Sequence, residues 1–232
     1  MSKTITHDLP TMSNGALTQQ SSLEKEAIHA HIERYLGAIH QAFGDLDSPA
    51  SGIEVLHVAP VVTRPVHTLI TSGMSAQAMQ VPEDVDAPRF LELMITLPEY
   101  WKLDAQSASR EEWSWPLRLL QSFARRPHET NSWVGWGQAI PNGEPPRPYA
   151  STTKLCGALA VPSLLVPTDF YELMTEHKRI AFYAVVPLYR EELELSRTSG
   201  TQTLLERIVD RDLNDVVDPK RKNAAKKRFG LF

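Results

Sequence analysis

The strongest constraint on the fold lies between Val66 and Trp101. Leu91, Leu93, Ile95 and Leu97 recur every second residue, with Glu92 and Thr96 on the opposite side of that period. A two-residue period of this kind belongs to a β-strand, not a helix. Pro98 has no N–H to give to a ladder, so it should end the strand. Upstream, Val66 to Ser72 is a second run rich in Thr, Leu, Ile and Val. Strands are therefore expected at about 66–72 and 90–97, with Gly73 between them, as the nucleus of a sheet.

Around this nucleus the chain alternates helix and strand signals. Ser21 and Glu24 fit a capping box. Ile28, Ile32, Tyr35, Leu36, Ile39 and Phe43 follow at three- and four-residue steps, with Gly44 placed as a left-handed terminator. The spacing predicts a helix over 22–43, with one apolar face for a sheet. Glu54–Val58 is a short strand candidate. Pro116 suits a helix start and Pro127 a helix stop, which predicts a short first piece and a main helix over 116–126. Strands are expected over 133–140, over 154–165 with a break at Pro162, and over 180–186, the last almost wholly apolar and ended by Pro187. Two helices, 189–195 and 201–209, flank Gly200. From Asp212 the chain is charged and expected to fray. The expected organisation is a flexible leader over 1–20, one domain over 21–212 and a basic tail over 213–232.

Charge is uneven. The 232 residues carry 24 basic and 28 acidic side chains, a net −4. Six of the basic ones, Lys220, Arg221, Lys222, Lys226, Lys227 and Arg228, crowd the C-terminal end; without them 18 bases face 28 acids, a net −10. An acidic body suits a basic protein partner; the net charge makes no case for nucleic acid, and the basic tail, which could contact nucleic acid or an acidic surface, reads rather as a solvated end. No stretch approaches the roughly 20 apolar residues of a membrane span, and Lys3 has no apolar run behind it, so no membrane partner is expected. Cys156 is the single cysteine. No intrachain disulfide can form, which fits a cytoplasmic protein.

Reaction chemistry is hard to find. Gly73-Met74-Ser75-Ala76 touches the hydrolase elbow pattern but lacks its second glycine, and reads as a turn. Cys156 sits among Leu, Gly and Ala with no neighbour to lower its pKa, and reads as a small buried side chain. His57 and His67 could meet across a sheet, which leaves a hydrolase or metal-dependent enzyme as one reading; two ligands do not close a zinc site. Glu111-Glu112 and Glu191-Glu192 read as solvated helix surface. Gly135-Trp136-Gly137 lacks a dinucleotide fingerprint. No catalytic residue, cofactor or metal is assigned, and the chain is read as non-enzymatic. All five tryptophans fall between Trp101 and Trp136, either as core filling or as the wall of an interaction cleft. A purely structural or oligomerising domain is the remaining reading.

Taken in order, several segments resemble the suppressor of fused family: Val66–Ser75, Phe90–Pro98, Trp115-Pro116-Leu117 with Leu120, Phe123, Ala124 and Arg125, Trp136–Ile140, Ile180–Tyr189 with Glu191, Glu192 and Leu193, and Gly200 with Leu204 and Leu205. Together they span about residues 54–210. The resemblance implies an α/β fold of the α+β type: a mixed, largely antiparallel sheet flanked by helices in a single suppressor-of-fused-like domain. It also implies a protein-binding module. Animal members of the family hold a peptide as an added strand. Bacterial members are inferred to be immunity proteins that neutralise a partner toxin, for which an acidic body would suit a basic target. The resemblance also implies a departure: many bacterial members carry His where this chain has Gln138, which weakens a histidine-based site there. The implied contact residues are Leu155 to Asp169, with Trp136 and Tyr189 as aromatic neighbours.

Overall fold

A computed structural model describes residues 14–45, 47–211 and 214–226, with side chains from Ser22 onward. The expected nucleus is there. β3 (Val66–Ser72) and β4 (Leu91–Pro98) pair antiparallel, from Val66 opposite Pro98 to Ile70 opposite Met94. Before them come α1 (Asn14–Leu36), β1 (Ile39–Gly44) and β2 (Glu54–Val58). After them come α2 (Ala105–Ala108), α3 (Glu111–Glu129), β5 (Ala139–Pro141), β6 (Leu155–Val161), β7 (Glu172–Met174), β8 (Arg179–Tyr189), α4 (Arg190–Ser199) and α5 (Thr201–Val209). The strands form one sheet in the order β1-β2-β3-β4-β8-β6-β5, with β7 also on β8. Among the described strands, β4 and β8 are the one pair that runs parallel. The mixed, largely antiparallel sheet with helices on its faces is the expected fold class.

Both faces of the nucleus are covered, which explains why β4 is buried along almost its whole length. Leu91, Leu93, Ile95 and Leu97 pack with Trp115, Leu120 and Phe123 of α3. Met94 and Ile70 face the other way, toward Ile28, Ile32 and Leu36 of α1. A third cluster joins Leu159, Val186 and Leu188 to Leu204 and Ile208 of α5. Four tryptophans are core material: Trp101 and Trp115 are buried, and Trp113 and Trp133 pack on the α3 cluster. Trp136 alone is half exposed, at 50%.

Glu92 is the polar exception at the centre of the sheet. It is fully buried. Its carboxylate accepts from Thr71 Oγ1 at 2.5 Å, Gly73 N and Ser75 N at 3.0 Å, and Ser75 Oγ at 2.7 Å. Those donors answer the requirement that a buried charge be hydrogen-bonded. They also fix Ser75 in a turn, as expected for the Gly73–Ala76 segment. Gly73 has φ +115°, and a Cβ there would lie 2.6 Å from the Gly52 carbonyl oxygen, so only glycine fits.

Several expectations require correction. The helix over 22–43 stops at Leu36, because Gly37 turns the chain at φ +111°. Ile39 to Gly44 is an edge strand with alternating exposure. Ile39 and Phe43 satisfy a four-residue step and a two-residue step alike, and pairing with β2 decides for the strand. Ser21 lies within α1, so it opens no helix; residues 1–13 of the expected leader fall outside the described residues. Pro116 and Pro127 both lie inside α3. The burial of Ser114, Trp115, Leu119 and Leu120 along one face holds the helix through the lost backbone bonds. Only Ala139–Pro141 of the expected 133–140 strand is strand, since Gly137 at φ +76° belongs to the preceding turn. β8 runs through Pro187 to Tyr189. Pairing with β4 stops at Ala184, so the missing N–H of Pro187 interrupts no bond there. Glu192 is not on a solvated surface but fully buried.

The segment after α5 does not fray within residues 214–226. Val216 bridges Thr96 in parallel, and Val217 N donates to the Thr96 carbonyl at 2.8 Å. It takes the place beside β4 that β8 leaves beyond Ala184. Val217 and Ala224 are buried. Residues 227–232 of the basic tail lie outside the described residues. No helix among the described residues is long and apolar enough to cross a membrane.

Candidate functional site

The two histidines of the enzyme reading do meet. His57 Nε2 and His67 Nδ1 are 2.8 Å apart across β2 and β3. Both outer nitrogens are also occupied: His57 Nδ1 lies 3.3 Å from Gln41 Nε2, and His67 Nε2 lies 3.2 Å from the Glu99 carbonyl. Burial lowers the His57 pKa to about 4, with His67 and His40 adding repulsion. Burial lowers that of His67 too, against the opposing pull of Glu99. The pair is thus a neutral chain of donors and acceptors near pH 7, with one proton per ring shared along it. Among the described residues no three His, Cys, Asp or Glu side chains converge as metal ligands. Cys156 is buried, as expected, and burial pushes its thiol pKa up.

The most organised polar arrangement lies at the corner where β8 becomes α4. Glu192, in the first turn of α4, accepts from the Tyr189 backbone N at 2.9 Å and so caps the helix. Its two oxygens also take both terminal nitrogens of Arg221, at 2.6 and 2.5 Å, and the Ala224 N at 2.7 Å. Arg221 reaches on to the Pro187 carbonyl at 2.8 Å, and its guanidinium stacks 5.0 Å from the centre of the Tyr189 ring. Tyr189 Oη closes the circuit by donating to the Arg221 carbonyl at 2.7 Å. A two-pronged pair of this geometry binds strongly and directionally. It fastens the C-terminal segment across the end of the sheet. The sequence reading missed Glu192 and Arg221; the available signal was an acid three residues after Tyr189, at the capping position of a helix.

Beside this clamp two hollows open. One, of about 600 Å³, is walled by Pro146, Pro148, the start of β6, the β8–α4 corner and the C-terminal segment. The other, of about 780 Å³, runs between β5 and α4 and is lined by Ala139, Pro141, Gly143, Leu193 and Arg197 among others. Arg190 and Pro146 border both. β5 is the last strand of the sheet and, among the described strands, pairs with β6 alone, so its outer edge has no strand partner; Ala139 and Pro141 of β5 line the groove.

The four contact residues expected from the resemblance are not brought to one surface. Leu155 and Tyr189 are ladder partners on β6 and β8, but Leu155 is 1% exposed and offers no surface. β6 is paired on both sides and leaves no free edge. Tyr189 is half buried under Arg221. Asp169 is exposed in a short 3-10 turn, Thr168–Phe170. Its neighbour Phe170 packs in the α1 cluster, on the face opposite the α3 cluster that holds Leu155. Trp136 is exposed three residues before β5. Gln138 is engaged locally, accepting from Gly135 N at 3.0 Å.

The suppressor of fused protein family model matches residues 49–222, from the turn before β2 to the residue after Arg221. The chain belongs to the suppressor of fused family. The match takes in the whole clamp except Ala224. Among solved structures, a suppressor of fused homolog from Neisseria gonorrhoeae is similar with a TM-score of 0.64 at 13% identity, over 89% of this chain and 99% of that one. A chain from the crystal structure of the Sufu–Fu complex is similar with a TM-score of 0.59 at 18% identity, over 87% and 92%. Drosophila Suppressor of Fused is similar over 74% of this chain but 42% of its own, at a TM-score of 0.50 and 18% identity. At these identities the structural likeness is one of fold. None of the curated proteins compared matches the chain.

Proposed function

We propose that this suppressor of fused domain works by binding a protein, and that it takes an extended segment of its partner along the outer edge of β5. The observation that carries the reading is the unpaired β5 edge beside the groove against α4. A strand edge supplies the main-chain bonds of strand addition, and the flanking groove receives alternate side chains. Trp136, half exposed at the entry to β5, is the aromatic anchor such a surface uses. One relative was crystallised as the Sufu–Fu complex, which supports a protein as the kind of partner.

The finer reading is that the chain is a cytoplasmic immunity-type protein that neutralises a partner toxin. It is supported by the net charge of −4, which favours a basic target, and by a structural relative of bacterial origin. Co-expression with the product of the adjacent gene tests it. Protection of the host and recovery of a stoichiometric complex are expected; a harmless neighbour, or a toxin that kills unchecked, contradicts it.

A further inference from the structure

The hollow beside the Arg221–Glu192 clamp is electrostatically unlike the rest of this acidic chain. Lys154, Arg190, Arg211, Lys222 and Lys226 line it, with Glu191 as the opposing carboxylate. Arg221 also lines it, but its charge is answered by Glu192 at 2.5 Å. Five cations against one carboxylate leave a local excess of four positive charges. Among the described residues none of the five is in an ion pair. Glu191 is held instead by Asn223 Nδ2 at 2.9 Å. Two of the cations are positioned by neutral groups: Arg190 donates to the Pro146 carbonyl at 2.7 Å and Arg211 to the Lys226 carbonyl. Such bonds orient a guanidinium while leaving its charge uncompensated.

These charges come from four separate parts of the chain, and the buried clamp is what brings Lys222 and Lys226 to the other three. Like charges gathered in a concavity repel one another and focus a positive field into it. We propose that this cavity binds a compact, multiply charged anion, a phosphate ester or a polycarboxylate of small-molecule size. Its volume of about 600 Å³ suits a ligand of that size. Lysine ammoniums and arginine forks are the groups that hold phosphate and carboxylate oxygens. Pro146, Pro148 and Cys156 give an apolar wall for the body of such a ligand. The inference rests on this cavity alone and is independent of the partner at β5.

Calorimetric titration of the full chain at low salt, with pyrophosphate and separately with citrate, tests it. One-to-one binding of at least one of them is expected, weakened about tenfold or more by Lys154→Glu and by Lys226→Glu. Both lysines are exposed, so both variants should fold. Arg89→Glu, an exposed cation outside the cavity, should bind as the parent does. Preference for pyrophosphate assigns a phosphate ligand, preference for citrate a polycarboxylate, and equal binding selection by charge. Absence of binding by both anions, an equal loss in Arg89→Glu, or binding of an octaglutamate peptide alone would overturn the proposal.

Discussion

Arg221 and Glu192 face each other as a two-pronged ion pair, at 2.6 and 2.5 Å, although they lie 29 positions apart in the chain. Both side chains are buried, at 7% and 0% exposure. Every remaining oxygen position of Glu192 is answered by a backbone N–H. Removing one partner strands the other charge away from water. Arg221→Ala is therefore expected to destabilise the fold by about 3–5 kcal/mol, read from the midpoint of urea unfolding. Replacing both members with apolar residues of similar volume should cost markedly less. Equal losses in the single and double variants would show that packing, not the stranded charge, sets the effect.

Glu92 makes a second prediction. Four donors converge on its carboxylate, and a glutamine amide would turn one acceptor into a donor facing another donor. Glu92→Gln should destabilise by about 2–3 kcal/mol. Gly73→Ala, which forces a Cβ to within 2.6 Å of the Gly52 carbonyl oxygen at a positive φ, should be destabilising through strain at the same turn. Thermal unfolding of the two variants checks both. A Glu92→Gln protein as stable as the parent would mean the four bonds are individually dispensable.

The nucleus around β3 and β4 was legible because its side chains alternate and its ends carry Gly73 and Pro98. The boundary between α1 and β1 was not. Ile28, Ile32, Leu36, Ile39 and Phe43 read as one helical stripe, and the choice at Gly37 is made by the β2 partner rather than by local spacing. Pro116, Pro127 and Pro187 were read as boundaries, yet each sits inside an element that packing sustains. The clamp was illegible for a related reason. Arg221 belongs to a run of bases that looks solvated, and only the fold shows that β4 and β8 part beyond Ala184 and admit the segment that carries it. Trp136 is the one tryptophan of the five left half exposed, and that too depends on tertiary packing.

Stability should depend on pH through the His57–His67 pair. In the unfolded chain an imidazole takes its proton near 6.5, while folded His57 does so only near 4. Between those values the unfolded state binds more protons, so folding stability is complete above pH 6.5 and is lost as the pH falls toward 4. His67, lowered in the same sense, adds to the loss. A His57→Gln variant should lose stability less steeply over this range, by roughly one proton's worth of slope. Urea titrations at half-unit steps measure it, and parallel profiles for variant and parent would remove His57 from the account.

Recognition of a protein partner at the β5 edge and Trp136 is open to direct measurement. The most direct measurement is the affinity of the full chain for the product of the adjacent gene, compared with Trp136→Ala and Ala139→Pro. Trp136 is half exposed, so its loss should change stability by no more than about 0.5 kcal/mol. Each variant is expected to form a complex at least about tenfold weaker, a loss of about 1.4 kcal/mol or more. Unchanged affinity in both variants, with their folds intact, would contradict recognition at this edge.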